Sequence, residues 1–99
     1  MIKHIVMMRL KEESADLKQK QLLSIKAQLE ELLKTVPSLK TMEVGLNFST
    51  RDTAYDLVLV STFNDLEGLK QYATHPDHLI VLGYLKDKLE TTAVTDYIV

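Results

Sequence analysis

The sequence has no cysteine and no tryptophan. Without a thiol, disulfide cross-links, thiolate metal centres and cysteine nucleophiles are all excluded. Three glycines and two prolines in 99 residues leave no linker and no low-complexity tract. No Gly-rich phosphate loop, nucleophile elbow or zinc spacing occurs. No apolar run approaches the roughly 18 residues of a membrane span. The opening stretch of residues 1–9 lacks the h-region and cleavage site of a secretory signal, so the expected location is cytoplasmic, with no membrane contact. Charge of one sign is not in excess either. Twelve Lys+Arg against fourteen Asp+Glu give a net charge of −2, which removes the basic footprint of a nucleic-acid-binding domain.

What the chain does have is a hydrophobic fraction of 45%, on a length suited to one domain, residues 1–99, and too short for two. Residues 2–10 alternate Ile2, His4, Val6, Met8 and Leu10 with Lys3, Ile5, Met7 and Arg9, a strand pattern. Ser14 is a candidate N-cap with Asp16 in the first turn. Leu22, Ile25, Leu29, Leu32 and Val36 then recur at helical spacing until Pro37. Met42, Val44, Leu46 and Phe48 make a second strand, and residues 55–63 a third. Asn64 and Glu67 have the spacing of a capping box for a short helix carrying Leu66, Leu69 and Tyr72. Pro76 opens a further helix, expected to reach about Leu89 with Leu82, Leu85 and Leu89 as its apolar stripe. Residues 92–99 form the last strand. The order β-α-β-β-α-β is that of a ferredoxin-like α+β fold, an antiparallel four-stranded sheet with its helices on one face.

Such a sheet should show apolar residues on one face and polar residues on the other. Here Ile5 and Met7 oppose Val6 and Met8, Val58 and Val60 oppose Leu57 and Leu59, and Ala93 and Tyr97 oppose Val94 and Ile98. Each such side chain gains roughly 1.5–3 kcal/mol on burial. The expected cover for the second face is another copy of the chain, sheet against sheet in a homodimer.

Lys3-His4-Ile5-Val6 at the start, Gln71-Tyr72-Ala73-Thr74-His75-Pro76-Asp77-His78 and Asp96-Tyr97 at the end resemble the stress-responsive dimeric α/β-barrel (Dabb) family. The resemblance covers the whole chain and implies a homodimer whose two sheets form a barrel. One branch of the family contains polyketide cyclases typified by olivetolic acid cyclase. By resemblance to these, Tyr72 and His78 are the acid–base pair and His4 lines the same cavity, while Leu57 stands where those cyclases carry another histidine.

The residues read on their own point the same way. His78 heads a helix, where the dipole disfavours the imidazolium and keeps the ring usable as a base. Tyr72 lies on the apolar face of the preceding helix. Asp96, on a strand face with Val94 and Ile98, needs a partner and is expected to orient His78. Together they suit proton removal from an acidic carbon, the chemistry of aldol cyclisation or isomerisation. The same groups also read as a structural polar network that satisfies itself. The expected pocket, between sheet and helices, takes a small apolar ligand against His4, Val6, Met8, Leu57 and Leu82. His4, His75 and His78 are metal-ligand types, but the Pro76 break separates two of them and no acidic ligand is clearly placed nearby. No metal and no cofactor is expected.

Overall fold

Residues 1–99 are all described by the computed structural model. The elements are β1 (Ile2–Leu10), α1 (Ala15–Thr35), β2 (Thr41–Leu46), β3 (Leu57–Phe63), α2 (Leu66–Thr74), α3 (Pro76–Leu85) and β4 (Leu89–Ile98). The strands form one antiparallel sheet in the order β2-β3-β1-β4, so β1 runs between two strands that follow it in sequence. This is the ferredoxin-like βαββαβ fold.

α1 starts where Ser14 Oγ accepts the Leu17 amide and stops at Val36, which extended backbone carries into Pro37. Its inward stripe of Leu22, Ile25, Leu29 and Leu32 packs on Val6, Met8, Leu10, Val44, Leu57, Leu59 and Phe63 from the sheet. The α2 cap is Asp65, whose Oδ1 accepts the Gly68 amide at 2.8 Å, one residue later than the Asn64–Glu67 spacing predicts. A carboxylate at this position also answers the helix dipole. A Cβ at position 68 would sit only 3.4 Å from that oxygen, so glycine leaves it room.

α3 is shorter than the sequence pattern predicts and turned differently. It ends at Leu85, because Leu89 is already paired with Leu10 in the sheet, across an irregularity in register after Arg9. Its buried side chains are Val81 and Leu85, while Leu82 is 43% exposed. The inward stripe is therefore His78, Val81, Leu85, at steps of three and four. Leu82 points along the flank.

The two faces of the sheet are not used equally. The helices lie mainly over β2 and β3, and β4 extends beyond them. Its helix-side residues Val94 and Ile98 are 56% and 83% exposed, although they align with the sheltered side of β1 through the pairs Val6–Val94 and Ile2–Ile98. On the opposite face, Ile5, Met7, Val58, Val60 and Ala93 stand side by side in register and carry no helix. The sequence reading placed half of β4 under the helices. The structure leaves both faces of most of its length exposed, because the two helices that follow β3 return above β3 and α1.

Candidate functional site

The bare half of β4 lets water reach the sheet beside α2 and α3, and three aromatic rings gather there. His4 lies on the helix side of β1, and the strand register sets Asp96 of β4 directly opposite. His4 Nδ1 donates to Asp96 Oδ1. The His4 side chain is largely buried and the carboxylate is half exposed. This corrects the expected role of Asp96, which orients His4 and not His78. The reason is the register, which pairs positions 4 and 96 within one sheet, whereas His78 belongs to the helical layer.

Tyr72 comes from the last turns of α2 and is 2% exposed. Its ring packs against Phe63 at 5.2 Å between centroids, against His78 at 4.2 Å, and edge-on to His4 at 6.5 Å. Ser38 Oγ is the one buried side-chain polar atom without a partner. The Tyr72 hydroxyl makes no hydrogen bond within the chain and is not such an atom, so it reaches accessible space. Burial nevertheless pushes its pKa up to about 12, which keeps the group a protonated donor across the physiological range.

His78 is the third residue of α3, in its first turn. Its Nδ1 lies 3.1 Å from the Ala73 carbonyl oxygen, which can only accept, so Nδ1 carries the proton in the neutral ring. Nε2 is then the basic nitrogen, and by the same criterion as the Tyr72 hydroxyl it is open. Burial lowers the pKa of the ring; the bond to Ala73 opposes that shift, and the charges of His4 and His75 add to it. His78 is thus a neutral base at neutral pH. His4 has the same polarity, with Nδ1 held by a carboxylate and Nε2 free.

The other expected site residues fall elsewhere. Val6 and Met8 are packed into the core. Leu57 is buried as well and backs a depression at the other end of the sheet, beside Met7, Gly45 and Tyr55. Leu82 is on the α3 flank. In place of an enclosed pocket under the helices there is an open, mostly apolar groove of about 290 Å³, lined by Ile2, Leu66, Leu69, Asp96, Tyr97 and Ile98. Asp96 joins it to the His4 ring, and Leu69 lies one turn before Tyr72 on α2. No three His, Asp or Glu side chains are gathered closely enough to hold a metal ion. Two contributors were missed by the sequence reading. Phe63 is the packing wall for Tyr72, a role its strand alternation hints at, and the Ala73 carbonyl is a backbone atom with no signal in the side chains. No helix is long and apolar enough to cross a membrane.

Comparison with known proteins places this chain in a family. A search of curated proteins finds no match. Among solved structures, a dimeric protein of unknown function with a ferredoxin-like fold from Bacteroides fragilis is 31% identical, with a TM-score of 0.90 over 99% of this chain and 95% of its own. A Dabb family protein from Mesorhizobium loti superimposes with a TM-score of 0.79 at 23% identity, over 99% of this chain and 95% of its own. The hydroxynitrile lyase of Passiflora edulis does so at 0.83 and 24% identity, over 99% of this chain and 92% of its own. These last two likenesses are of fold alone. The family model of the Stress responsive A/B Barrel Domain (Dabb) matches residues 2–99, and the chain belongs to that family.

Proposed function

We propose that the protein is a homodimer that binds a small, largely apolar molecule in the groove between α2 and β4, with its polar end against Tyr72 and the two histidines. The observation that carries this reading is the polarity of His78. Its ring is kept neutral by burial, is oriented by Ala73, and has its other nitrogen without a partner in the chain. A ring serving only the core would have both nitrogens satisfied internally. At about 290 Å³ the groove is near the lower end of small-molecule sites, roughly 300–1,000 Å³. The ligand is accordingly compact. The dimer reading rests on the apolar row of Ile5, Met7, Val58 and Val60, and on the dimeric state of the Bacteroides fragilis relative.

A native mass-spectrometric screen of compact aryl and alkyl carbonyl compounds tests this. Binding to the wild-type protein that is lost in His78→Ala and Tyr72→Phe supports the site. Binding that is indifferent to both substitutions rejects it.

A second reading, cofactor-free acid–base catalysis as in polyketide cyclases, is favoured by the His4–Asp96 pair, because a carboxylate behind an imidazole is the arrangement of an oriented base. In this reading His78 Nε2 takes the proton from an acidic carbon beside a carbonyl. The electron pair moves onto the carbonyl oxygen, and the Tyr72 hydroxyl donates a hydrogen bond to the resulting enolate. His4, held by Asp96, faces the same reacting carbon. Return of the proton from His78 at a new position completes isomerisation; attack of the enolate carbon on a second carbonyl, followed by transfer of that proton from His78 to the new alkoxide oxygen, completes ring closure. Solvent deuterium uptake into an aryl methyl ketone, abolished by His78→Ala, checks this step.

A further inference from the structure

Tyr72 and His78 sit on different helices, and one residue joins those helices. The His75 amide donates to the Tyr72 carbonyl at 3.2 Å, closing α2, while its own carbonyl accepts the Leu79 amide at 3.0 Å, opening α3. Its side chain is the N-cap of α3. His75 Nδ1 accepts the Asp77 amide at 3.1 Å. Histidine is an unusual choice for this position, where Ser, Thr, Asp and Asn are preferred. Unlike the hydroxyl and amide caps, it can accept here only while Nδ1 is unprotonated. A second partner waits beside it, the Asp77 carboxylate, with Oδ2 4.0 Å from the same nitrogen.

We propose that His75 is a proton-operated switch of the α2–α3 junction. Neutral, it caps α3 and holds Tyr72 against His78; protonated, it releases the Asp77 amide and donates to the Asp77 carboxylate instead. The functional consequence rests on the reading of Tyr72 and His78 as the ligand-binding pair. The charged groups around the switch are few. Within α3 they are Asp77 and His78, whose proton affinity is lowered in part by charge on His75. From β1, His4 acts on His78 in the same sense. From α1, Glu31 shares a cleft with Asp77 and Val81, where it pairs with Lys34 at 3.4 Å. Acid then loosens the first turn of α3, the turn that fixes the His78 ring.

The test needs no ligand, so its outcome is separate from whether the groove binds one. Amide hydrogen exchange at Asp77 is followed from pH 8 to pH 5, with the histidine and Tyr72 ring resonances recorded on the same samples. In the wild type the Asp77 protection factor is expected to fall about fivefold as the His75 ring titrates, the factor corresponding to loss of one cap. The Tyr72 and His78 rings should shift in the same step. His75→Asn and His75→Ser, two caps that do not titrate, should keep the amide protected and remove that step from the Tyr72 signal. Asp77→Asn, which deletes the acceptor that stabilises the released state, should move the wild-type loss to lower pH. Flat protection while His75 titrates overturns the switch. So does an identical fall in both cap variants, an unmoved Tyr72 ring, or an Asp77→Asn profile identical to the wild type.

Discussion

His4 and Asp96 face one another across the β1–β4 ladder, the imidazole Nδ1 donating to the carboxylate, although 92 positions separate them in the sequence. The pairing turns an exposed strand residue into the support for a buried ring. It also fixes which nitrogen of His4 is free. The ring so held lies edge-on to Tyr72 at 6.5 Å between centroids, so its orientation depends on the edge strand β4.

Asp96→Ala should therefore leave the fold intact and weaken the site. The half-exposed carboxylate contributes less than about 1 kcal/mol to stability as an ion pair. Loss of such an orienting partner typically costs about 10- to 100-fold in function. Thermal denaturation and ligand affinity measured on the same variant check both halves. A large stability loss with unchanged affinity contradicts this role.

His78 sets the sign of one pH dependence. Burial lowers its folded pKa below the ordinary value of 6.5, so between the two values the unfolded chain holds more protons than the folded one. Stability through this group consequently rises with pH. The contribution is present above about 6.5 and is lost as the pH falls below it. Melting temperatures of His78→Gln should fall less than those of the wild type between pH 7 and pH 5. An equal fall removes His78 as the source.

Tyr72 separates packing from chemistry. Tyr72→Phe deletes a hydroxyl that has no partner in the chain, and its stability should stay within about 0.5 kcal/mol of the wild type. Tyr72→Ala empties a site against Phe63 and His78 and should cost about 3–5 kcal/mol. Urea denaturation measures both. Ligand binding should be impaired in the phenylalanine variant despite its intact fold.

The uncovered sheet face predicts assembly. Met7 and Val58 are register partners on that face, with Met7 39% exposed. The wild type should sediment as a dimer at micromolar concentration and Met7→Lys as a folded monomer. A monomeric wild type would remove the dimer from the account.

The element order βαββαβ was legible, and with it the antiparallel ferredoxin-like sheet, because apolar strand runs and the Leu22–Leu32 stripe of α1 are local patterns. The α3 boundary was not. Leu85 and Leu89 share a helical spacing, but Leu89 gains more by pairing with Leu10, a tertiary choice that no local pattern records. His4, Tyr72 and His78 were recognisable as candidates from residue type and family resemblance. Which histidine Asp96 would hold depended on sheet register, and which cap Pro76 would follow depended on the rotamer of His75.

The most direct measurement is a histidine-detected NMR titration of the wild-type protein with a compact aryl methyl ketone. If the groove and the three rings form one site, the His4 and His78 ring signals move together and saturate at one ligand concentration. Tyr72→Phe then weakens both responses. A ketone that binds without moving either ring, or moves only surface signals near the α1–α3 cleft, contradicts the account.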